Sequence, residues 1–244
     1  MLNEIFFYLS FLFVLGSFIG WILELFFRKI TSNKWINPGF LSGPYVPIYG
    51  LGLITLYLVS IIKLPYNSIV VIYVVKVLSI SLLLTLIEYI AGIVFIKGMG
   101  IKLWDYSKMW GNIGGIICPL FSFIWTVLGA FYLFFVHDFI VIAIDLVSTN
   151  LYYPFLVGIF FGLFLWDLFS TLEISSKLKK FVNDRRLVIR FEDFKLRERH
   201  YYSKNKIKYN FMKPLRMNKD IVKELLDEYG LEESERMKIK NGQV

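Results

Sequence analysis

The stretch that decides the fold is Asn37-Pro38-Gly39-Phe40-Leu41-Ser42-Gly43-Pro44-Tyr45-Val46-Pro47-Ile48-Tyr49-Gly50, residues 37–50. Its fourteen residues include three prolines and three glycines, which is too many for one continuous helix. Apolar runs of membrane length lie on both sides of it. Since lipid cannot satisfy the hydrogen bonds of irregular backbone, we expect this segment to be buried in protein or to line a wet cavity. The alternative is a rigid connector between two helices.

The composition of the whole chain indicates a membrane protein. Of its 244 residues, 57% are hydrophobic and 18% aromatic, and the mean hydropathy is +0.60. Residues 1–176 contain equal numbers of basic and acidic side chains, so the formal charge of +8 lies entirely in residues 177–244. We therefore predict a transmembrane helical domain over residues 1–174 and a basic tail over residues 175–244.

Five segments contain the roughly 20 mostly apolar residues that a spanning helix needs. They are residues 5–27, 44–62, 66–96, 114–136 and 151–172. The predicted fold class is therefore all-α, a polytopic membrane bundle of about five transmembrane helices. The apolar run 139–147 is flanked by Asp138 and Asp145 and is too short to span, so we predict an interfacial turn of helix or a loop there.

Basic residues collect in the predicted loops after the first and third spans and in the tail. This distribution predicts an outside N-terminus and a cytoplasmic C-terminus in a plasma-membrane protein. Residues 177–219 interleave lysine and arginine with aromatic side chains, which favours contact with anionic lipid headgroups over nucleic-acid binding. Residues 219–229 have helical apolar spacing and Gly230 follows as a C-cap, so we expect a short amphipathic helix.

An Asn-x-Gly-x4-Pro pattern occurs twice, as Asn37 to Pro44 and as Asn112 to Pro119. The residues from Asn37 to Asn112 contain two predicted spans, so both copies of the pattern would have the same orientation in the membrane. Parallel repeats of this kind are known in transporters. The alternative is a coincidence between two helix starts on the same side.

Each copy of the pattern follows a predicted span that contains a carboxylate, Glu24 in the first case and Glu88 in the second. Counting along the helices places both near the cytoplasmic edge, with Asp167 somewhat deeper. Three such acids predict a cation or proton site. Glu24 could instead pair with Arg28 one turn later. Lys76 falls near the midplane, where it needs a polar partner or a displaced helix.

The segment Trp104-Asp105-Tyr106-Ser107 precedes the second copy of the pattern. Trp104 suits the membrane interface, whereas the roles of Asp105 and Ser107 stay open. No phosphate loop, catalytic triad or paired-cysteine motif occurs, so we predict neither an enzyme nor a metal or cofactor site. The candidate residues of a substrate or ion pathway are Glu24, Asn37, Gly39, Gly43, Pro44, Pro47, Tyr49, Gly50, Glu88, Asp105, Tyr106, Ser107, Asn112, Gly115 and Asp167.

Several of these motifs resemble a known family. The run Gly20-Trp21-Ile22-Leu23-Glu24, residues 37–50, residues 104–107, Asn112 and residues 115–118 together resemble the bacterial family of "putative ABC-transporter permeases" called type IV, or CmpB-like. The resemblance covers most of residues 15–135. It implies a multi-pass plasma-membrane protein with a transport role.

The favoured function is small-solute transport through an acid-flanked cavity on the cytoplasmic side. Such a subunit would need a separate ATPase and could form a homo-oligomer. The first alternative is a non-transporting scaffold or regulator that uses its tail to hold lipid or a partner. The second is an intramembrane enzyme that acts on lipids, with Asp105, Glu24 or Glu88 as the base.

Overall fold

The computed structural model describes residues 2–33, 35, 37–150, 152–185, 189, 190, 195, 196 and 200, with backbone alone for residues 2, 3, 32, 173–185, 189 and 190. This part of the chain is mostly helical, as predicted. Its elements are α1 (Leu2–Ser32), α2 (Pro47–Ile61), α3 (Ile69–Met99), β1 (Ile101–Lys102), α4 (Pro119–Phe131), a π-helical turn (Tyr132–Val136), α5 (His137–Ser148), α6 (Tyr152–Arg185) and β2 (Ile189–Arg190).

Four helical segments are long and apolar enough to cross a membrane. They are Glu4–Thr31, Ile69–Met99, Pro119–Ser148 and Tyr152–Leu172. The fifth apolar helix, α2, has 15 residues. It is therefore about 22 Å long, which is less than the roughly 30 Å of a hydrocarbon core. Four of the five predicted spans thus have full length, and the predicted span over residues 44–62 is a shorter helix.

The prediction of an interfacial turn or loop over residues 139–147 is wrong. These residues belong to α5, which follows α4 and the π-helical turn without a break. Ile140, Ile144 and Val147 are buried at helical spacing, whereas Asp138 and Asp145 are exposed two turns apart on another face. The predicted fourth span ended at residue 136 because Asp138 and Asp145 suggested a boundary. Both acids lie on an exposed face, so they do not interrupt the helix.

The start of α2 lies beside the middle of α1. The Val46 N–H donates to the Ser17 carbonyl at 2.9 Å, and Ser17 is near the centre of the first span. Residues 37–46, here called the first return loop, therefore lead back towards this level after the end of α1. Gly50 allows the close approach of the two helices, because a Cβ there would lie 2.6 Å from the Phe13 carbonyl oxygen.

The α3–α4 pair repeats this arrangement. Residues 100–118, here called the second return loop, lead from the end of α3 back to Gly92, where Ile116 packs. From there α4 runs back along α3, and the Ser81 and Thr126 hydroxyls are 2.7 Å apart. Trp104 donates its indole N–H to the Ile116 carbonyl at 2.8 Å, which ties the second return loop together.

Lys76, the charge predicted near the midplane of the membrane, has a polar partner. Its ammonium donates to the main-chain oxygen of Ser60, in the last turn of α2. The last carbonyls of a helix lack partners within the helix, and a cation there also meets the negative end of the helix dipole. Lys76 thus stabilises the end of a short helix inside the bundle.

α6 packs against α1, where Phe13 contacts Phe161 and Phe164 at centroid distances of 5.7 and 5.6 Å. The α6 backbone continues as helix to Arg185, past the predicted domain boundary at residue 174. Beyond it, β2 pairs in parallel with β1, so the tail returns to the second return loop. The amphipathic helix predicted over residues 219–229 lies outside the described residues.

Candidate functional site

Glu24 lies on α1 and has partners on both sides. Tyr49, in the first turn of α2, donates its hydroxyl to Glu24 Oε2 at 2.7 Å. Arg28 donates to Glu24 Oε1 through Nε at 3.2 Å and through Nη2 at 3.0 Å. The alternative prediction of an ion pair within α1 is therefore confirmed, and Tyr49 adds a link to the neighbouring helix.

Glu88 is the corresponding acid on α3 and is 4% exposed. Tyr106 donates its hydroxyl to Oε1 at 3.0 Å, and Trp125 on α4 donates its indole N–H to Oε2 at 2.9 Å. Among the residues described, no cation pairs with this carboxylate. Two neutral donors thus hold a buried acid between the second return loop and α4.

The two acids are linked through aromatic side chains. The rings of Tyr49 and Trp125 meet edge to face, with centroids 6.3 Å apart. Because Tyr49 binds Glu24 and Trp125 binds Glu88, a continuous line of contacts runs Glu24–Tyr49–Trp125–Glu88. We call these four residues the acid–aromatic line. It joins the α1–α2 pair to the α3–α4 pair.

Asp167, on α6, binds the first return loop. Its Oδ2 accepts the backbone N–H groups of Ser42 and Gly43, both at 2.9 Å, and the Tyr45 hydroxyl at 2.7 Å. Thr171, one turn later, donates to Oδ1 at 3.4 Å. Asp167 is 5% exposed, so this carboxylate holds irregular backbone against α6 at a buried position.

The first return loop is largely buried in protein, which is one of the two environments predicted for it. Asn37 is 1% exposed; its Oδ1 accepts the Trp21 indole N–H at 2.7 Å, and its Nδ2 donates to the Ser42 carbonyl at 3.2 Å. Gly39 has a φ of +81°, which favours glycine. Pro47 then occupies the first turn of α2, where its missing N–H costs nothing.

The second return loop is built around Asp105 and Asn112. Asp105 Oδ1 accepts the Ser107 N–H at 3.1 Å and lies 3.4 Å from the Lys102 ammonium. Asn112 donates to the Ser107 carbonyl at 3.3 Å and accepts the Gly115 N–H at 3.0 Å. Asp105, Ser107, Asn112 and Gly115 are therefore brought together, in contacts that shape the loop.

Tyr106 connects this loop to Glu88. Its ring stacks on Phe121 with centroids 4.2 Å apart. Burial, together with the neighbouring Glu88 carboxylate, raises the pKa of the Tyr106 hydroxyl well above its ordinary value. The hydroxyl consequently stays protonated and serves as a donor to Glu88.

The two copies of the Asn-x-Gly-x4-Pro pattern have related but unequal geometry. In both, the asparagine side chain binds its own loop, and the glycine has positive φ, +81° at Gly39 and +61° at Gly114. The prolines differ, because Pro119 begins α4 whereas Pro44 lies within the first return loop and Pro47 begins α2. The pattern therefore occurs in both return loops, but its proline begins the following helix only in the second copy.

One further contact comes from the tail. Lys195 is 2% exposed, and its ammonium donates to the main-chain oxygens of Asn37 at 2.7 Å and Gly39 at 2.6 Å. Sequence reasoning missed four residues of the site, namely Trp21, Tyr45, Trp125 and Lys195. Aromatic residues are abundant in this chain, and Lys195 is one cation in a basic tail, so none of them carried a distinctive signal.

Comparison with known proteins gives one match. Residues 11–172 match the family model described as "Putative ABC-transporter type IV", which is about two thirds of the chain. The match includes both return loops and all four residues of the acid–aromatic line. No curated protein and no solved structure matches the chain.

Proposed function

This chain belongs to the "Putative ABC-transporter type IV" family, and we propose that it is the membrane subunit of a transporter for a small cationic solute. The acid–aromatic line is its pathway, and a separate ATPase drives it. In this proposal the protein lies in the plasma membrane with its tail in the cytoplasm and has no enzymatic activity of its own.

The observation that carries the proposal is the acid–aromatic line itself. Two carboxylates from different long helices are held beside two interruptions of regular backbone. Ionisable groups at such positions are costly and commonly mark ion or solute pathways. Broken helices near the site are also how many transporters present polar backbone to a solute. Glu88, paired with neutral donors only in the described part of the chain, is the acid we expect to attract a cation.

These 244 residues contain no phosphate loop, so the ATP-hydrolysing unit lies outside them, and in this proposal it is a separate chain. Affinity purification of the full chain from its native membranes tests this directly. We expect a nucleotide-binding subunit to co-purify. Reconstitution of that complex into vesicles should then give ATP-dependent uptake of labelled methylammonium, choline or rubidium, and Glu88→Gln should lower this uptake by about tenfold or more.

A folded complex that hydrolyses ATP but moves none of these cations would contradict the proposed solute class. The second candidate function is a scaffold or regulator without transport, which the contact of Lys195 with the first return loop favours. It predicts that deletion of residues 177–244 abolishes function in cells, whereas Glu24→Gln and Glu88→Gln are tolerated. The transporter proposal predicts loss of function in both glutamine variants.

A further inference from the structure

A lysine of the tail is buried in the first return loop. The Lys195 ammonium lies 2.7 Å from the Asn37 carbonyl oxygen and 2.6 Å from that of Gly39, and its side chain is 2% exposed. An ammonium group loses several kcal/mol of hydration when it is buried, unless polar groups replace the water. The burial of this one therefore indicates surroundings suited to a cation.

The two carbonyl oxygens are oriented by contacts that do not involve the tail. Asn37 is fixed by its side chain, which accepts from Trp21 at 2.7 Å and donates to Ser42 at 3.2 Å. Gly39 has a φ of +81°, a conformation that glycine adopts without strain, and its carbonyl oxygen contacts the same ammonium as that of Asn37. Asp167 secures the following residues through their backbone N–H groups. The acceptors are thus held in place by the transmembrane domain.

We propose that the turn Asn37–Gly39 is a binding site for a primary ammonium group and that Lys195 is the ligand that the chain itself supplies. Two carbonyl acceptors at hydrogen-bond distance recognise N–H donors as well as positive charge. A small primary alkylammonium ion has the same head group as lysine and can take its place. This site does not depend on whether the protein transports a solute.

A strand pairing keeps this ligand close to its site. Ile189 and Arg190 pair in parallel with Ile101 and Lys102 of the second return loop. This anchor lies only five residues before Lys195, so the ammonium has a high effective concentration near residues 37–39. An external amine must compete with this tethered group, and removal of the Lys195 side chain makes the site available.

Chemical rescue tests the proposal in the full chain purified in detergent. Lys195→Ala removes the atoms from Cγ to Nζ, which n-propylammonium reproduces. We expect the variant to unfold at a lower temperature than the wild type, and n-propylammonium to restore the midpoint in a saturable manner. Tetramethylammonium has the same charge but no N–H group, so the same concentration should not restore it.

Lys97→Ala is the matched control, because Lys97 is exposed on the last turn of α3. Its midpoint should stay at the wild-type value and respond to neither cation. A wild-type midpoint for Lys195→Ala would overturn the proposal. So would a lowered midpoint that neither cation restores, or that both restore equally.

A measurement on the unmodified sequence covers the case in which Lys195→Ala does not fold. Wild-type protein is treated with an amine-acetylating reagent, and modification of each lysine is followed by mass spectrometry. We expect Lys195 to react many times more slowly than Lys97. Equal rates would overturn the proposal.

Discussion

Tyr49 and Trp125 meet edge to face, with ring centroids 6.3 Å apart, and each donates a hydrogen bond to a carboxylate on a different helix. This contact therefore connects the α1–α2 pair to the α3–α4 pair, in addition to the hydrogen bond of Lys76 on α3 with Ser60 on α2. A buried carboxylate that loses a donor keeps its desolvation cost, so each member of this connection can be tested by removing one group at a time.

Glu88→Gln should remove the negative charge that we expect to attract a cation while leaving the protein folded. The glutamine amide can still accept from the Trp125 indole through its oxygen and donate to the Tyr106 hydroxyl through its nitrogen, so we expect little change in thermal stability. Cation uptake in reconstituted vesicles should fall by about tenfold or more, a loss of roughly 1.4 kcal/mol. Asp145→Asn, at an exposed acid on α5, should leave uptake unchanged. Full uptake by Glu88→Gln would contradict the assigned role.

Asp167→Ala should loosen the first return loop. The change leaves the N–H groups of Ser42 and Gly43 and the Tyr45 hydroxyl without their acceptor. Each buried unsatisfied donor costs about 1–3 kcal/mol, so we expect a loss of at least about 3 kcal/mol. Thermal unfolding in detergent and protease cleavage within residues 37–46 measure this. Ser170→Ala, at a half-buried neighbour on α6 whose hydroxyl donates to the Trp166 carbonyl of the same helix, should match the wild type.

Gly50→Ala should separate α1 from α2. The added Cβ would lie 2.6 Å from the Phe13 carbonyl oxygen, a backbone atom of α1 that cannot rotate away as a side chain does, and closer still to Ser17 Oγ. Overpacking of this kind costs about 1–3 kcal/mol or more. Gly158→Ala is the matched control, since a Cβ at this helical glycine would meet nothing within 4 Å. We expect the control to be as stable as the wild type or up to about 1 kcal/mol more stable.

Tyr106 should make the protein sensitive to alkali. Its pKa in the folded protein is raised above the ordinary value of 10.0, so the unfolded chain releases this proton at lower pH than the folded chain does. Stability from this group is complete below pH 10.0 and is lost as the pH rises above it. The loss approaches about 1.4 kcal/mol per pH unit.

Tyr106→Phe isolates that contribution. At neutral pH the variant should be less stable by about 1 kcal/mol, because it lacks the hydrogen bond to Glu88. Above pH 10.0 the stability difference between wild type and variant should shrink, since only the wild type has Tyr106 to ionise. The midpoints of thermal unfolding of both proteins, measured from neutral pH to above pH 10.0, give this difference. A constant difference at every pH would contradict the raised pKa.

The class of fold followed from composition and from the length of the apolar runs, because hydropathy reports burial in lipid directly. The short length of α2 did not follow. Pro44, Tyr45 and Val46 are apolar enough to extend the run, and hydropathy does not distinguish helix from irregular backbone. The end of the fourth span was missed for the opposite reason, since Asp138 and Asp145 suggested a boundary where a helix merely exposes one face.

The candidate site was predicted in part. Glu24, Glu88 and Asp167 were identified because acids in apolar runs are rare, and Tyr49 because it belongs to the proline- and glycine-rich segment of residues 37–50. The partners of Asp167 include backbone N–H groups, which every residue except proline possesses, so no sequence pattern reveals them. Nothing in the sequence distinguished Trp125 from the other tryptophans of the apolar segments.

α6 also has a mechanical consequence. Its helix continues from Leu172, where the apolar span ends, to Arg185, so a rod of roughly 20 Å projects beyond the membrane segment. Asp167 lies near the inner end of this rod and is bonded to the backbone at Ser42 and Gly43. Because Asp167 and the projecting end belong to the same continuous helix, we expect a displacement of that end to reach the first return loop through these hydrogen bonds. The three hydrogen bonds that Asp167 Oδ2 accepts are the mechanical link between the projecting part of α6 and the first return loop.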